Sequence, residues 1–214
     1  MAGPQSGGLP SNCKVSGINS DKSPISLAGK KYRMGSFSAT YPASAKGGKV
    51  VAVNTKDAFV AALDYIARNC AVNAECNKYF KSLPKGITIG DIMGRNLFFF
   101  ELHAAPGAQP ADVPAGFTAA FNDTYAEIGI NPVVLGSKME LAQVIVHEFA
   151  HVAGAPGREE FPGETTASLK QSKRYDQAIQ AERALTKCFL HPQFDPDAWG
   201  ARERLRTGGG PRIA

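Results

Sequence analysis

The stretch VIVHEFAHVAGAPG, Val144–Gly157, decides how this chain is read. It holds two histidines four residues apart, His147 and His151, with Glu148 directly after the first and Gly154 where a helix would stop. At 3.6 residues per turn, residues four apart lie one above the other on one helix face, so both imidazoles can meet a single metal ion. From Leu141 to Ala153 the sequence is largely apolar with no Gly or Pro; Ser137 stands three residues before Glu140 as a capping box, and Gly154 and Pro156 end the element. In such an HExxH arrangement two neutral imidazoles hold Zn²⁺, and the adjacent carboxylate takes a proton from the attacking water, whose pKa the metal lowers to about 7. The bland alternative is a core helix with satisfied histidines. A strand just before the helix and a turn just after it favour the metal site.

A catalytic zinc needs a third protein ligand and an open position for water. The pattern HExxHxxGxxH would put a histidine at position 157, where Gly157 stands, so the ligand is expected further on. Glu159, Glu160, Glu164, Asp176 and Glu182 are the acidic residues in reach. A helical wheel over the last long helix, expected within 164–189, places Glu182 among Tyr175, Ala178, Ile179, Leu185 and Phe189 on the apolar face. A carboxylate there needs a strong partner. Glu164 would share that face if the helix were continuous, being about five turns earlier, but an acidic residue at a helix start is already explained by the helix dipole. Glu182 is therefore the first candidate and Glu164 the alternative, with a surface ion pair as the ordinary explanation for either.

Working outward, TYAEIGIN puts Ala126, Ile128 and Ile130 on one face of a strand that Pro132 ends. GITIGDIMGRNLFFFEL reads as two strands or a hairpin broken at MGRN, followed by the loop AAPGAQPADVPAG. KVVAVN reads as a strand and TKDAFVAALDYIARN as a helix with Thr55 as N-cap; a second short helix is expected around Ala74–Phe80. PISLAGKKYRM reads as a hairpin turning at AGKK. Residues 1–24, rich in Gly, Ser, Pro and Asn, read as a flexible lead-in, and the chain after the last helix as an irregular basic tail. Residues 25–214 form a single expected domain. His103, His191, Tyr125 and Tyr175 are weaker polar candidates, and Phe98–Phe100 is expected to be strand core.

The net charge of +5 is mild, and its lysines and arginines are scattered rather than gathered into a stripe interleaved with aromatics, which argues against nucleic acid as a partner. No run approaches the roughly 18 apolar residues of a membrane span, and the start has no basic region followed by an apolar one, so neither a span nor a signal peptide is expected. Cys13, Cys70, Cys76 and Cys188 lack the paired CxxC steps of a zinc ribbon. In an oxidising compartment Cys70 and Cys76 could close a helix corner, with three connectivities possible for the four cysteines; in a reducing one all four would be free thiols.

The stretches EIGIN, ELAQVIVHEFAHVAGAPG and, at Ala181–Cys188, AERALTKC resemble the zincin-like metallopeptidase domains of bacterial secreted toxins, including type VI secretion effectors and Rhs-type C-terminal domains. The resemblance spans about 125–190. Phe189 stands where glycine is expected, and the segment 158–179 is longer than expected. The resemblance implies an α+β, zincin-like fold with a small, mostly antiparallel sheet, an HExxH helix and a following helix carrying the third ligand. It implies His147, His151 and Glu182 as zinc ligands and Glu148 as the base. The function to expect is zinc-dependent hydrolysis of peptide bonds in a protein or peptide by a monomer. Delivery would be by a dedicated secretion system, with a carrier and an immunity protein as partners and a target-cell periplasm as a place of action. Two rivals are a hydrolase of peptidoglycan stem peptides and a non-catalytic binding module whose metal only holds helices together.

Overall fold

The computed structural model describes residues 13–15, 25–27, 32–35, 37–44, 50–107, 113–157, 160–161 and 163–189. Strand β8 (Tyr125–Ile130) buries Ala126, Ile128 and Ile130 as the period of two requires. It lies between β6 (Asn96–Ala104), which it pairs in parallel, and β7 (Gly116–Phe121), which it pairs antiparallel. On the other side of β6 comes β3 (Tyr32–Gly35), also parallel, and then β2 (Ile25–Leu27), antiparallel to β3. The path runs β2-β3-β6-β8-β7, with β1 (Cys13–Val15) pairing antiparallel with β6 as a sixth strand. The architecture is α+β around a small mixed sheet. Among the described residues three of its strand pairings are antiparallel, the larger share as expected, and two, those of β3 and β8 with β6, are parallel. A separate hairpin joins β4 (Thr40–Ser44) to β5 (Val50–Asn54).

Helix α4 (Lys138–Val152) begins where Ser137 accepts a hydrogen bond from the Glu140 backbone N–H. It is apolar nearly all round, and so must be enclosed. Leu141, Val144, Ile145, Phe149 and Val152 are buried between the sheet and two other helices, α1 (Thr55–Tyr65) and α7 (Gln180–Phe189). Strand β6 serves both faces: Leu97 and Phe99 join the helix-side core, while Phe100 and Leu102 join a second cluster with Val113 on the opposite face. The Phe98–Phe100 run is strand core, as expected. Among the described residues no helix is long and apolar enough to cross a membrane.

The β2–β3 pairing, the strand at KVVAVN, α2 (Ala74–Ser82) and α4 all stand where the sequence places them. Four expectations are corrected. Ile89–Met93 is a helix, α3, not a strand, because Thr88 and Asp91 close a capping box in which each side chain accepts from the other's backbone N–H. The N-cap of α1 is Asn54, whose carbonyl takes the Asp57 N–H; Thr55 is buried and donates its hydroxyl to the Ser38 carbonyl. Within the expected lead-in, Cys13–Val15 form β1; the rest of 1–24, and the tail after Phe189 with His191, lie outside the described residues.

The fourth correction concerns the last long helix. It is three short ones: α5 (Thr166–Gln171), α6 (Tyr175–Ala178) and α7. Lys173 adopts a left-handed backbone, φ 58°, between the first two, and Ile179 departs from helical geometry between the second and third. Glu164 and Glu182 therefore do not share a helix, and their common phase is lost.

Candidate metal and catalytic site

The site is assembled by the end of α4. Gly154 takes φ +89°, the left-handed conformation in which a side chain would be strained, and turns the chain back on its own helix. That reversal brings the Ala155 carbonyl to 2.9 Å from His151 Nδ1. A carbonyl can only accept, so the His151 proton sits on Nδ1 and the Nε2 lone pair points away. Nε2 lies 3.1 Å from His147 Nε2. Two nitrogens bound to one tetrahedral zinc, each about 2.0–2.1 Å from it, stand about 3.3 Å apart. The two imidazoles thus present their nitrogens at nearly the span one ion requires, with His151 held in the right tautomer by a carbonyl behind it.

His147 is half-buried, with its Nδ1 sealed from solvent. Burial, and then the neighbouring His151, hold its pKa well below the ordinary histidine value. The neutral imidazole, the form that ligates a metal, is therefore the one present at pH 7.

Glu148 is only 3% exposed. Thr118 Oγ1, on β7, donates to its Oε2 at 2.8 Å and lies 3.2 Å from its backbone carbonyl. Gly116, two residues earlier on β7, lies so close that a Cβ there would stand 2.5 Å from Glu148 Oε1 and 2.6 Å from Val144 Cγ1. Neither β7 residue is singled out by sequence reading. Residues 116–121 follow directly on a Pro/Ala/Gly loop and carry no charged side chain, and nothing local signals that the strand will lie across α4.

Glu182 is 7% exposed on α7, among buried Ala178, Ile179, Ala181 and Leu185. The wheel's placement of a carboxylate on an apolar face thus holds, although the helix around it is shorter than expected. Beside it on α2, Tyr79 donates its hydroxyl to the Gln180 carbonyl at 2.7 Å. Burial pushes the Tyr79 hydroxyl up to about 12, with Arg183 lowering it and Glu182 raising it. Glu164, by contrast, is half-buried, pairs with Arg174 at 2.6 Å and lies 3.5 Å from Ser168 Oγ. Asp176 pairs with Arg183, Glu160 is exposed, and Glu159 lies outside the described residues. Among the described residues, no group of three His, Cys, Asp or Glu side chains stands ready to hold a metal. The two histidines come together, their Nε2 atoms 3.1 Å apart.

His103 and Tyr41 flank the buried Glu101, His103 Nδ1 at 3.3 Å from one carboxylate oxygen and the Tyr41 hydroxyl donating to the other. Tyr125 opens β8, and Tyr175, at the start of α6, lies under Lys170 Nζ. The cysteines also differ from expectation: Cys76 bonds Cys188, not Cys70, and Cys70 is a buried free thiol. The bond ties α2 to α7, six residues beyond Glu182. Comparison with known proteins finds no matching family model, no matching curated protein and no matching solved structure.

Proposed function

We propose that this chain is a zinc-dependent metallopeptidase in which His147 and His151 hold the metal, Glu182 completes the ligand set and Glu148 is the general base. The observation that carries the reading is the pair of Nε2 atoms 3.1 Å apart, one imidazole fixed by Ala155 and the other kept neutral by burial. Zinc, when bound, supplies Lewis-acid polarisation of the scissile carbonyl and lowers the pKa of the attacking water. The remaining work belongs to the chain. The Glu148 carboxylate takes the proton from that water as it attacks and delivers it to the leaving amine, one group serving as base and then acid. Glu182 is preferred as the third ligand because its carboxylate is buried on an apolar helix face, where a cation stabilises it. The zincin-like fold and the delivery of the chain as a secreted bacterial effector belong to the same proposal, on the resemblance of the HExxH and AERALTKC stretches.

The Cys76–Cys188 disulfide supports a second substrate class. Disulfides persist in oxidising compartments, and in a periplasm the peptide stems of peptidoglycan are within reach of such an enzyme. One experiment tests the chemistry: zinc content, and hydrolysis of unfolded protein and of purified peptidoglycan, for the wild type, Glu148→Ala and His147→Ala. Glu148→Ala should keep the zinc and lose at least about 100-fold in turnover, as expected for removal of a general base. His147→Ala should lose both. Unchanged turnover in Glu148→Ala refutes the enzyme reading. Equal growth of cells expressing wild type and Glu148→Ala, in cytoplasm and in periplasm, refutes the toxin reading.

A further inference from the structure

We infer that Gly116 and Thr118 of strand β7 are positioning residues for the Glu148 carboxylate; the inference rests on the reading of Glu148 as general base. Residues two apart on a strand face the same side, and these two face α4. Thr118 uses one hydroxyl to hold Glu148, donating to Oε2 at 2.8 Å while lying 3.2 Å from the carbonyl of the same residue. The carboxylate is thereby tied to its own helical turn rather than left to sample the rotamers of a long side chain. Gly116 supplies the complementary space: any Cβ there would overlap the place of Oε1, at 2.5 Å, and crowd Cδ at 3.0 Å. One residue grips one oxygen, and the other leaves room for the second.

The cradle is rigid because the sheet holds it. Gly116 pairs with Ile130 and Thr118 with Ile128 of β8, both buried. Regular pairing shifts register directly after Thr118, before Ala120, so the strand is irregular where it leaves the carboxylate. Gly116 has no left-handed backbone requirement, so its lack of a side chain answers to space, not to φ. A base must sit within hydrogen-bond reach of the proton it takes, and a misplacement of about 1 Å costs on the order of 100-fold in rate. Thr118 is not itself a reacting group; its hydroxyl acts through the Glu148 carboxylate.

The test compares full-length wild type, Glu148→Gln, Thr118→Val, Thr118→Ser and Gly116→Ala. Thr118→Val keeps the shape and removes the hydroxyl; Thr118→Ser keeps the hydroxyl. The readouts are zinc per chain, kcat and KM on a fluorogenic peptide that the wild type cleaves, and affinity for acetohydroxamate by calorimetry, a probe that chelates zinc and hydrogen-bonds a neighbouring carboxylate. Thr118→Val should lower kcat by roughly 30–100-fold, with KM within about twofold, zinc unchanged and hydroxamate bound about tenfold more weakly. Thr118→Ser should recover to within about threefold, and Gly116→Ala should lose kcat with zinc retained. Full kcat in Thr118→Val beside an inactive Glu148→Gln overturns this inference alone, as does a loss that Thr118→Ser does not recover or one accompanied by loss of zinc. A wild type that binds neither zinc nor hydroxamate overturns the general-base reading and this inference together.

Discussion

Breaking the Cys76–Cys188 disulfide should destabilise the fold by about 4–5 kcal/mol. The bond closes 112 residues of chain. In the chain-entropy account, a loop of that length removes about 16 cal/mol/K from the unfolded ensemble, or about 4.8 kcal/mol at 25 °C. Residual structure in the unfolded chain makes this an upper figure. The reduced protein should still fold, because α7 remains packed on α4 through Ala181, Ala184 and Leu185 and bonded to Tyr79 through Gln180. For a chain of this size each kcal/mol shifts Tm by about 2–4 °C, so the expected fall is roughly 10–18 °C. In the folded protein burial pushes the nearby Cys70 thiol up to about 12 and keeps it from attacking the bond; unfolding exposes it, so the variant without the disulfide serves as the control free of thiol exchange. The assay is urea unfolding with and without a thiol reductant, repeated on a Cys76→Ala/Cys188→Ala variant, with mass spectrometry confirming the bond state. A loss below about 1 kcal/mol, with the bond shown to be broken, would refute the loop-closure reasoning.

Other outcomes follow from the same geometry. In competition with a chromophoric chelator, Glu182→Gln should weaken zinc binding by more than the roughly 10–100-fold that loss of an outer partner brings. Glu164→Gln should cost about 1 kcal/mol or less, through its Arg174 pair, and keep the zinc; the reverse ranking would move the ligand to Glu164. The metal-free protein should lose stability below about pH 6.5. There the unfolded chain protonates His147 while the folded chain, whose pKa is lowered, does not, giving a slope of up to about 1.4 kcal/mol per pH unit; a His147→Gln variant should lack that component. Gly129→Ala should cost about 1–3 kcal/mol by overpacking, since its Cβ would stand 2.5 Å from Leu102 Cδ2 and 2.8 Å from a Phe100 ring carbon. A Tm within 1 °C of wild type would show that this outer cluster yields more easily than a packed core.

Features encoded over one or two turns were legible. Ser137 and Gly154 bound α4 because a cap and a left-handed turn are local hydrogen-bond and steric events. His147 and His151 face one another because four residues is close to one helical turn. The burial of Glu182 was likewise readable from its neighbours on a wheel. Where local signals competed, the reading failed: β-branched residues in GITIGDIM suggested a strand, but the reciprocal Thr88–Asp91 cap makes a helix, and Lys173 breaks a pattern that seemed continuous. Relations between distant segments had no local signal at all. That β6 pairs in parallel with both β3 and β8, that Cys76 finds Cys188 across 112 residues, and that Gly116 and Thr118 close on Glu148 depend on which surfaces meet when the core is buried. Helix phase and caps are decided by neighbours along the chain; which strand lies over Glu148 is decided by packing, which no short stretch contains.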